Sequence, residues 1–327
     1  MKKILILLLT VIVIFGCKSR KSGTAENNSD AVPEEIISGE FTISGAFALS
    51  PLMKKWAEGF MTLHQDVKIT VVETGTGQGI ADLIDKKVDL AMISRPLTDD
   101  EKDSGIWLMP VAKDGVAIIV NDKNPYLPRL MNQGLSPDEI QQLFTGTETP
   151  SWGTLLDTSG NEKPAVFIRA DESGASDVLA DFCYRKASDL KGAGVTGDME
   201  MISTVAKNTM AIGYCNLSFA FEAPSGKRTE HIQILPFDLD FDNKIGRTEA
   251  PFKDLETAHR SVWLGIYPEN LCRELTIGSL GTPGNPAVLA FLSYIIGDGQ
   301  EFVKNMGLCE LSSVHLRYAR ESLQQNP

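Results

Sequence analysis

Residues 168–182, IRADESGASDVLADF, place Arg169, Asp171, Glu172, Ser173 and Gly174 between an apolar run and a helix-like pattern. The start of a helix carries unpaired backbone N–H groups and about half an elementary positive charge, so an arginine beside it is repelled unless an anion lies between them. Read that way, the stretch is an anion seat. Read alone, it is also an Arg169 paired with Asp171 or Glu172 and a Ser173 that merely caps the helix. Two further junctions have a similar make-up. SGAFALSP, residues 44–51, offers small residues and Pro51, which suits a first helical turn. TGTGQGI, residues 74–80, matches neither G-x-G-x-x-G nor the G-K-[ST] ending of a P-loop, which argues against dinucleotide and ATP sites and leaves a tight turn or an anion cradle. A strand end adds Ser94 and Arg95, the arginine being also in reach of an ion pair with Asp99 or Asp100. Together these segments supply N–H, hydroxyl and guanidinium donors for one small oxyanion.

Catalysis finds no comparable support. His64, His231, His259 and His315 are scattered, with no H-E-x-x-H and no Ser-His-Asp context. Cys183, Cys215, Cys272 and Cys309 show no zinc spacing. The expected chemistry is therefore binding, not an enzymatic reaction, with no cofactor or metal.

Such junctions need strands that end where helices begin, and the chain alternates the two. EFTIS, VKITVVE, VDLAMIS, GVAIIV (115–120), AVFIR (165–169), AIGYC (211–215), IQILPF (232–237) and VWLGIY (262–267) read as strands. Helical patterns fall at about 51–63, 78–86, 137–144, after Ser173, and at about 286–296, 299–306 and 314–325. The alternation predicts an α/β architecture of mainly parallel sheets flanked by helices. In such sheets ligands bind beyond the carboxyl ends of the strands, where the three junctions lie.

The N-terminus, MKKILILLLTVIVIFGCKSRKSG, has an apolar run from Ile4 to Phe15 that is too short to span a bilayer and fits a signal peptide, with Gly16 before Cys17 as in a bacterial lipobox. From Lys18 to Glu35 the chain lacks the apolar residues to bury itself and reads as a tether. The formal charge is −12, and removing residues 1–16, which carry Lys2 and Lys3 and no acid, takes it down by two, to −14. That charge argues against nucleic acid as a partner, since the phosphate backbone would be repelled.

The mature sequence resembles the phosphate-binding periplasmic proteins, the solute receptors of high-affinity phosphate ABC importers. The resemblance rests on SGAFALSPLMKKWAEGF, GTGQGIADLIDKKVDLAMISRPLTDDE, IRADESGAS, AIGYCNL and NPAVLAFLSYIIGDGQEFVKNMG, in that order. It implies a two-lobed fold, each lobe a mainly parallel sheet flanked by helices, with the ligand cleft between lobes. The corresponding divisions are 1–16 signal peptide, 17–36 lipidated tether, 37–114 with 258–327 as one lobe and 115–257 as the other. The implied ligand set is Ala46, Phe47 and Ala48 from the first loop, Thr76 and Gly77 from the second, Ser94 and Arg95 at the strand end, and Arg169, Ser173, Gly174 and Ala175 from the third. In that set Arg169 is the guanidinium clamp, and Phe47, Ala48, Gly174 and Ala175 give amides. Implied partners are inorganic phosphate or a similar oxyanion such as arsenate or sulfate, ABC permease subunits, and a membrane held through lipidated Cys17. The implied product is a monomer in the bacterial envelope, facing the periplasm or the exterior, while a surface sensor with the same fold is the rival from another class. Two departures stand out. Ser94 occupies a position where the best-known members carry an aspartate that accepts the proton of bound phosphate, and Phe47 and Ala175 stand where hydroxyl residues are common.

Overall fold

In the computed structural model the described residues are 37–222, 225–249 and 252–324. The proposed signal peptide, the lipidation site Cys17 and the tether therefore lie outside the described residues.

The first half of the body opens with β1 (Gly39–Gly45), α1 (Ser50–Leu63), β2 (Val67–Glu73), α2 (Thr76–Ile84), β3 (Leu90–Ile93), α3 (Asp99–Asp103) and β4 (Ile106–Asn121). There follow α4 (Leu127–Gln133), α5 (Pro137–Thr145), α6 (Trp152–Leu155), β5 (Ala165–Arg169), α7 (Gly174–Phe182), β6 (Ala193–Val195), α8 (Gly197–Lys207) and β7 (Ala211–Asn216). The chain then runs through β8 (Phe221–Glu222), β9 (Lys227–Arg228), β10 (Ile232–Ile234), α9 (Leu255–Trp263), β11 (Cys272–Leu280), α10 (Pro286–Ile295), α11 (Glu301–Asn305) and α12 (Ser313–Gln324).

The large sheet runs β2-β1-β3-β11-β4-β7-β5-β6, with β10 added on β4. Pairing is parallel among β2, β1 and β3 and among β7, β5 and β6, as α-helical crossovers require. The two parallel sets are joined through β11 and β4, which pair antiparallel with their neighbours. The result is an α/β fold on a mixed sheet.

Two hydrophobic cores share this sheet. One gathers Phe41, Ile43, Trp56, Phe60 and Met92 with Phe291 and Leu292. The other gathers Ile118, Phe144, Trp152, Leu179, Tyr214, Phe237 and Tyr267. Each such side chain contributes on the order of 1.5–3 kcal/mol by leaving water. Along β4 the division falls between Ala112 and Val116, and in the return segment between Leu271 and Leu275.

Three sequence readings need correction. VWLGIY, expected as a strand, is instead the end of α9 and the turn after it. A capping box at Asp254 and Thr257 starts that helix, and Leu255, Ala258 and Val262 form its buried face, so helical spacing overrides a run rich in aromatics. The strand from this region is β11, which begins at Cys272, after VWLGIY has ended, and was not anticipated. GVAIIV is only the second half of a sixteen-residue β4, whose first half pairs with β11 around Pro110. The four described cysteines are all free.

Candidate anion-binding site

Beyond the carboxyl end of β1, Ala46 anchors the loop by donating its amide to Met92 O at 2.9 Å, and α1 begins after it with no side-chain cap. α2 also starts without one, at Gly75, whose φ of 87° only glycine adopts at low cost. α7 is capped by Ser173, whose hydroxyl accepts from the Ala175 amide at 3.2 Å. These three beginnings meet at a small cavity lined by Ala46, Phe47, Ala48, Gly75, Thr76, Ser94, Glu172, Ser173, Gly174, Ala175, Asn216 and Arg273. Helix starts that converge in this way present backbone N–H donors and positive dipole ends to one point. The hydroxyls of Thr76 and Ser94 lie 3.0 Å apart, and the Ser94 amide donates to Thr76 Oγ1 at 3.2 Å, which fixes both side chains at the cavity wall.

Eight of the residues expected from the sequence, Ala46, Phe47, Ala48, Thr76, Ser94, Ser173, Gly174 and Ala175, thus share one cavity wall. Gly77, Arg95 and Arg169 do not line it. Gly77 is the second residue of α2 and packs so closely on the Glu172 carboxylate that a side chain there would collide with it. Arg95 forms a fork with Glu101 at 2.7 and 2.9 Å and approaches Asp177 at 3.5 Å; Asp99 and Asp100, the expected partners, are not engaged. The hydrogen bonds it donates to Glu101 raise its already high pKa.

Arg169 is held behind the wall. Its Nε donates to Asp171 Oδ1 at 2.8 Å, its Nη2 to Asp171 Oδ2, and its Nη1 to Asp198 Oδ2 at 3.0 Å. Its guanidinium also lies 5.5 Å from the centre of the Phe47 ring. Burial alone would lower its pKa and raise that of Asp171, but their mutual hydrogen bonds and charges win in both, so the Arg169 value is raised and the Asp171 value lowered. Pairing with Asp171 and capping by Ser173 are therefore both present.

Arg273 was missed by sequence reading. It stands on β11, a strand unanticipated there, and its only signal was a lone arginine in CRELTIGSL. The side chain is buried, its Nη2 donates to Asn216 Oδ1, and its Nε and Nη1 have no hydrogen-bond partner. Asn216 in turn donates its amide and its Nδ2 to Asp198, both at 2.8 Å. Asp114, on β4, accepts from Gly115 N, Ser218 N and Ser218 Oγ; burial pushes its pKa up to about 7 against the opposing pull of Arg273.

Among the described residues, Asp238, Asp240 and Asp242 bring carboxylate oxygens within 4.8 Å of one another and form the group that could hold a metal. With Glu249 they follow the spacing of a calcium loop, and Asn243, at φ 58°, takes the usual glycine position. The loop closes on its own backbone: Asp238 accepts from the amides of Asp242 and Asn243, and Glu249 from those of Leu239 and Gly246.

A relative from Streptococcus agalactiae named phosphate-binding protein PstS 2 is 30% identical over 129 residues, 39% of this chain and 42% of that protein. Phosphate-binding protein PstS of Staphylococcus aureus is 26% identical over 189 residues, 56% of each chain. The chain thus matches about half the length of these relatives. Among solved structures, a putative phosphate ABC transporter substrate-binding protein with bound phosphate from Clostridium perfringens superposes with a TM-score of 0.67 at 22% identity, covering 84% of this chain and all of that one. An ABC-type phosphate transport receptor from Vibrio cholerae gives 0.64 at 21% identity, covering 83% of this chain and all of that one. Both share the fold. The family model described as PBP superfamily domain matches residues 28–298. That match takes in most of the sequence, and the chain belongs to the PBP superfamily.

Proposed function

We propose that this chain is an exported solute-binding protein that captures inorganic phosphate for an ABC permease. The observation that carries the reading is the convergence of three helix starts and two hydroxyls on one small cavity. Relatives named for phosphate binding support the choice of anion. In this reading segments 37–114 with 258–327 and 115–257 act as two lobes that close on the anion, β4 being a strand that runs from one into the other. Ala46, Phe47, Ala48, Thr76, Ser94, Ser173, Gly174 and Ala175 are the direct contacts, while Gly77, Arg95 and Arg169 support the wall. The reaction is binding and closure without covalent chemistry. Cys17 carries a lipid and residues 17–36 tether a monomer to the cell envelope, where several acyl chains hold firmly and a single one would not.

Calorimetric titration with phosphate, arsenate and sulfate tests the reading. Saturable binding of phosphate with one site per chain supports it. Heat from sulfate alone would reassign the ligand, and no response to any of the three anions would overturn it.

A further inference from the structure

The cavity wall carries two buried arginines in different electrostatic conditions, Arg169 just behind it and Arg273 in it. Arg169 gives one N–H to Asp198 and two to Asp171, so two carboxylates close on one cation. Arg273 touches no carboxylate within ion-pair distance among the described residues, and its contact is the neutral Asn216 side chain. Asp114, Asp198 and Asp177 attract it from a distance and Arg169 repels it. Its Nε and Nη1 are left without acceptors in the interior. A buried charged donor with no acceptor is costly, so such a group marks a place where an acceptor arrives from outside the chain.

The direction in which it points is set by α7. A Cβ built on Gly174, the first residue of that helix, would come 3.0 Å from Arg273 Nη1 and would also strike Ser94 Oγ. The guanidinium, the Ser94 hydroxyl and the start of a nine-residue helix thus crowd one spot, and only glycine leaves it open. A charged Nη1 without a partner among the described residues, a hydroxyl and a helix start together suit a tetrahedral oxyanion.

We infer that Arg273 is a cationic residue that grips the bound anion directly, beside the helix starts and hydroxyls of the cavity wall. The inference rests on the phosphate reading above and names the residue that makes the site selective for charge. Phosphate bound between Arg273 and the start of α7 satisfies the free Nη1.

The test is a calorimetric titration of inorganic phosphate into wild type, Arg273→Gln and Arg273→Lys, with melting temperatures taken without and with phosphate. Arg273→Gln is expected to weaken binding by at least about thirty-fold, while its phosphate-free melting temperature stays level or rises, since an uncompensated buried charge has gone. Arg273→Lys is expected to recover only part of the loss, because a compact ammonium does not keep the contact with Asn216 and reach the anion as the guanidinium does. Phosphate affinity within threefold of wild type in Arg273→Gln, with a lowered phosphate-free melting temperature, would make Arg273 a structural residue and overturn the inference. Should Arg273→Gln fail to fold, nitrogen-15 spectra of wild type decide: the Nε–H signal absent from Arg273→Lys must shift on phosphate addition, and a signal that stays put overturns the inference. A wild type that ignores phosphate sinks the phosphate reading instead. Arg273 is then judged with whichever of arsenate or sulfate binds, and binding of none sinks both.

Discussion

Arg169 Nη1 stands 3.0 Å from Asp198 Oδ2, with side-chain exposures of 0% and 1%. Asp198 also accepts from Asn216 N and Nδ2, so one carboxylate ties β5, α8 and β7 together at the rim of the cavity. Such a pair is weak evidence of net stabilisation when intact, yet removing one partner strands the other charge. Asp198→Asn should therefore cost roughly 3–5 kcal/mol in urea unfolding. A loss under about 1 kcal/mol would show that the Arg169 charge is already satisfied by Asp171.

The pH dependence of stability should carry a signature of Asp114. Burial raises its folded pKa from 3.8 to about 7, so between those values the folded state holds a proton that the unfolded state has lost. Stability from this group is fully present below about 4 and is lost as pH rises through about 7. Wild type should thus exceed Asp114→Asn in stability by more at pH 4 than at pH 7.5, measured as melting temperatures in matched buffers. A difference that grows toward high pH would contradict the burial argument.

Gly79 lies inside α2, where alanine would ordinarily gain up to about 1 kcal/mol of helix propensity. The close packing of α2 on the end of β1 reverses that sign. A Cβ at Gly79 would sit 2.5 Å from Gly45 Cα and 3.0 Å from Ser44 O, both backbone atoms that cannot step aside. Gly79→Ala should destabilise by about 1–3 kcal/mol, and it should weaken phosphate binding too, because α2 carries Thr76. A melting temperature at or above that of wild type would refute it.

How far the sequence could be read follows from where each signal resides. The strand-to-helix junctions were legible because glycine, serine and proline mark turns by local chemistry, and eight residues from them do line one cavity. β11 was not legible. CRELTIGSL alternates weakly, and its pairing with β4 is held by contacts some 160 residues apart, which no local window contains. Arg273 went unnoticed for the same reason. The special property of Arg273, two free buried nitrogens, is a fact of packing, whereas Arg169 sits in a motif that draws the eye. α9 was misread because VWLGIY has strand composition, while its capping box lies eight residues upstream of Val262.

The last expectation concerns discrimination between hydrogen phosphate and sulfate. A site rejects sulfate when a fixed carboxylate accepts the proton that sulfate lacks and repels it otherwise. At the position where the resemblance to phosphate-binding proteins implies an aspartate, this chain has Ser94, whose hydroxyl is within hydrogen-bonding distance of Thr76. Two nearby acids are spent elsewhere: Asp171 on Arg169 and Gly197 N, and Glu73 on Ser50 Oγ and Lys54 Nζ at 2.7 and 2.6 Å. Glu172 is the one carboxylate among the described residues that line the cavity, and its exposed position lets water screen it. Phosphate should therefore be preferred over sulfate by a smaller margin than in relatives with the aspartate, by at least about one decade or roughly 1.4 kcal/mol. Ser94→Asp should depress sulfate binding more than phosphate binding, with the gain fading as pH falls and the new carboxylate takes up a proton. Glu172→Gln should shift the ratio by less than Ser94→Asp does. Competition titrations near neutral pH decide it: if wild type ignores sulfate at a large excess over phosphate and Glu172→Gln abolishes that refusal, Glu172 reads the proton and the argument from Ser94 fails.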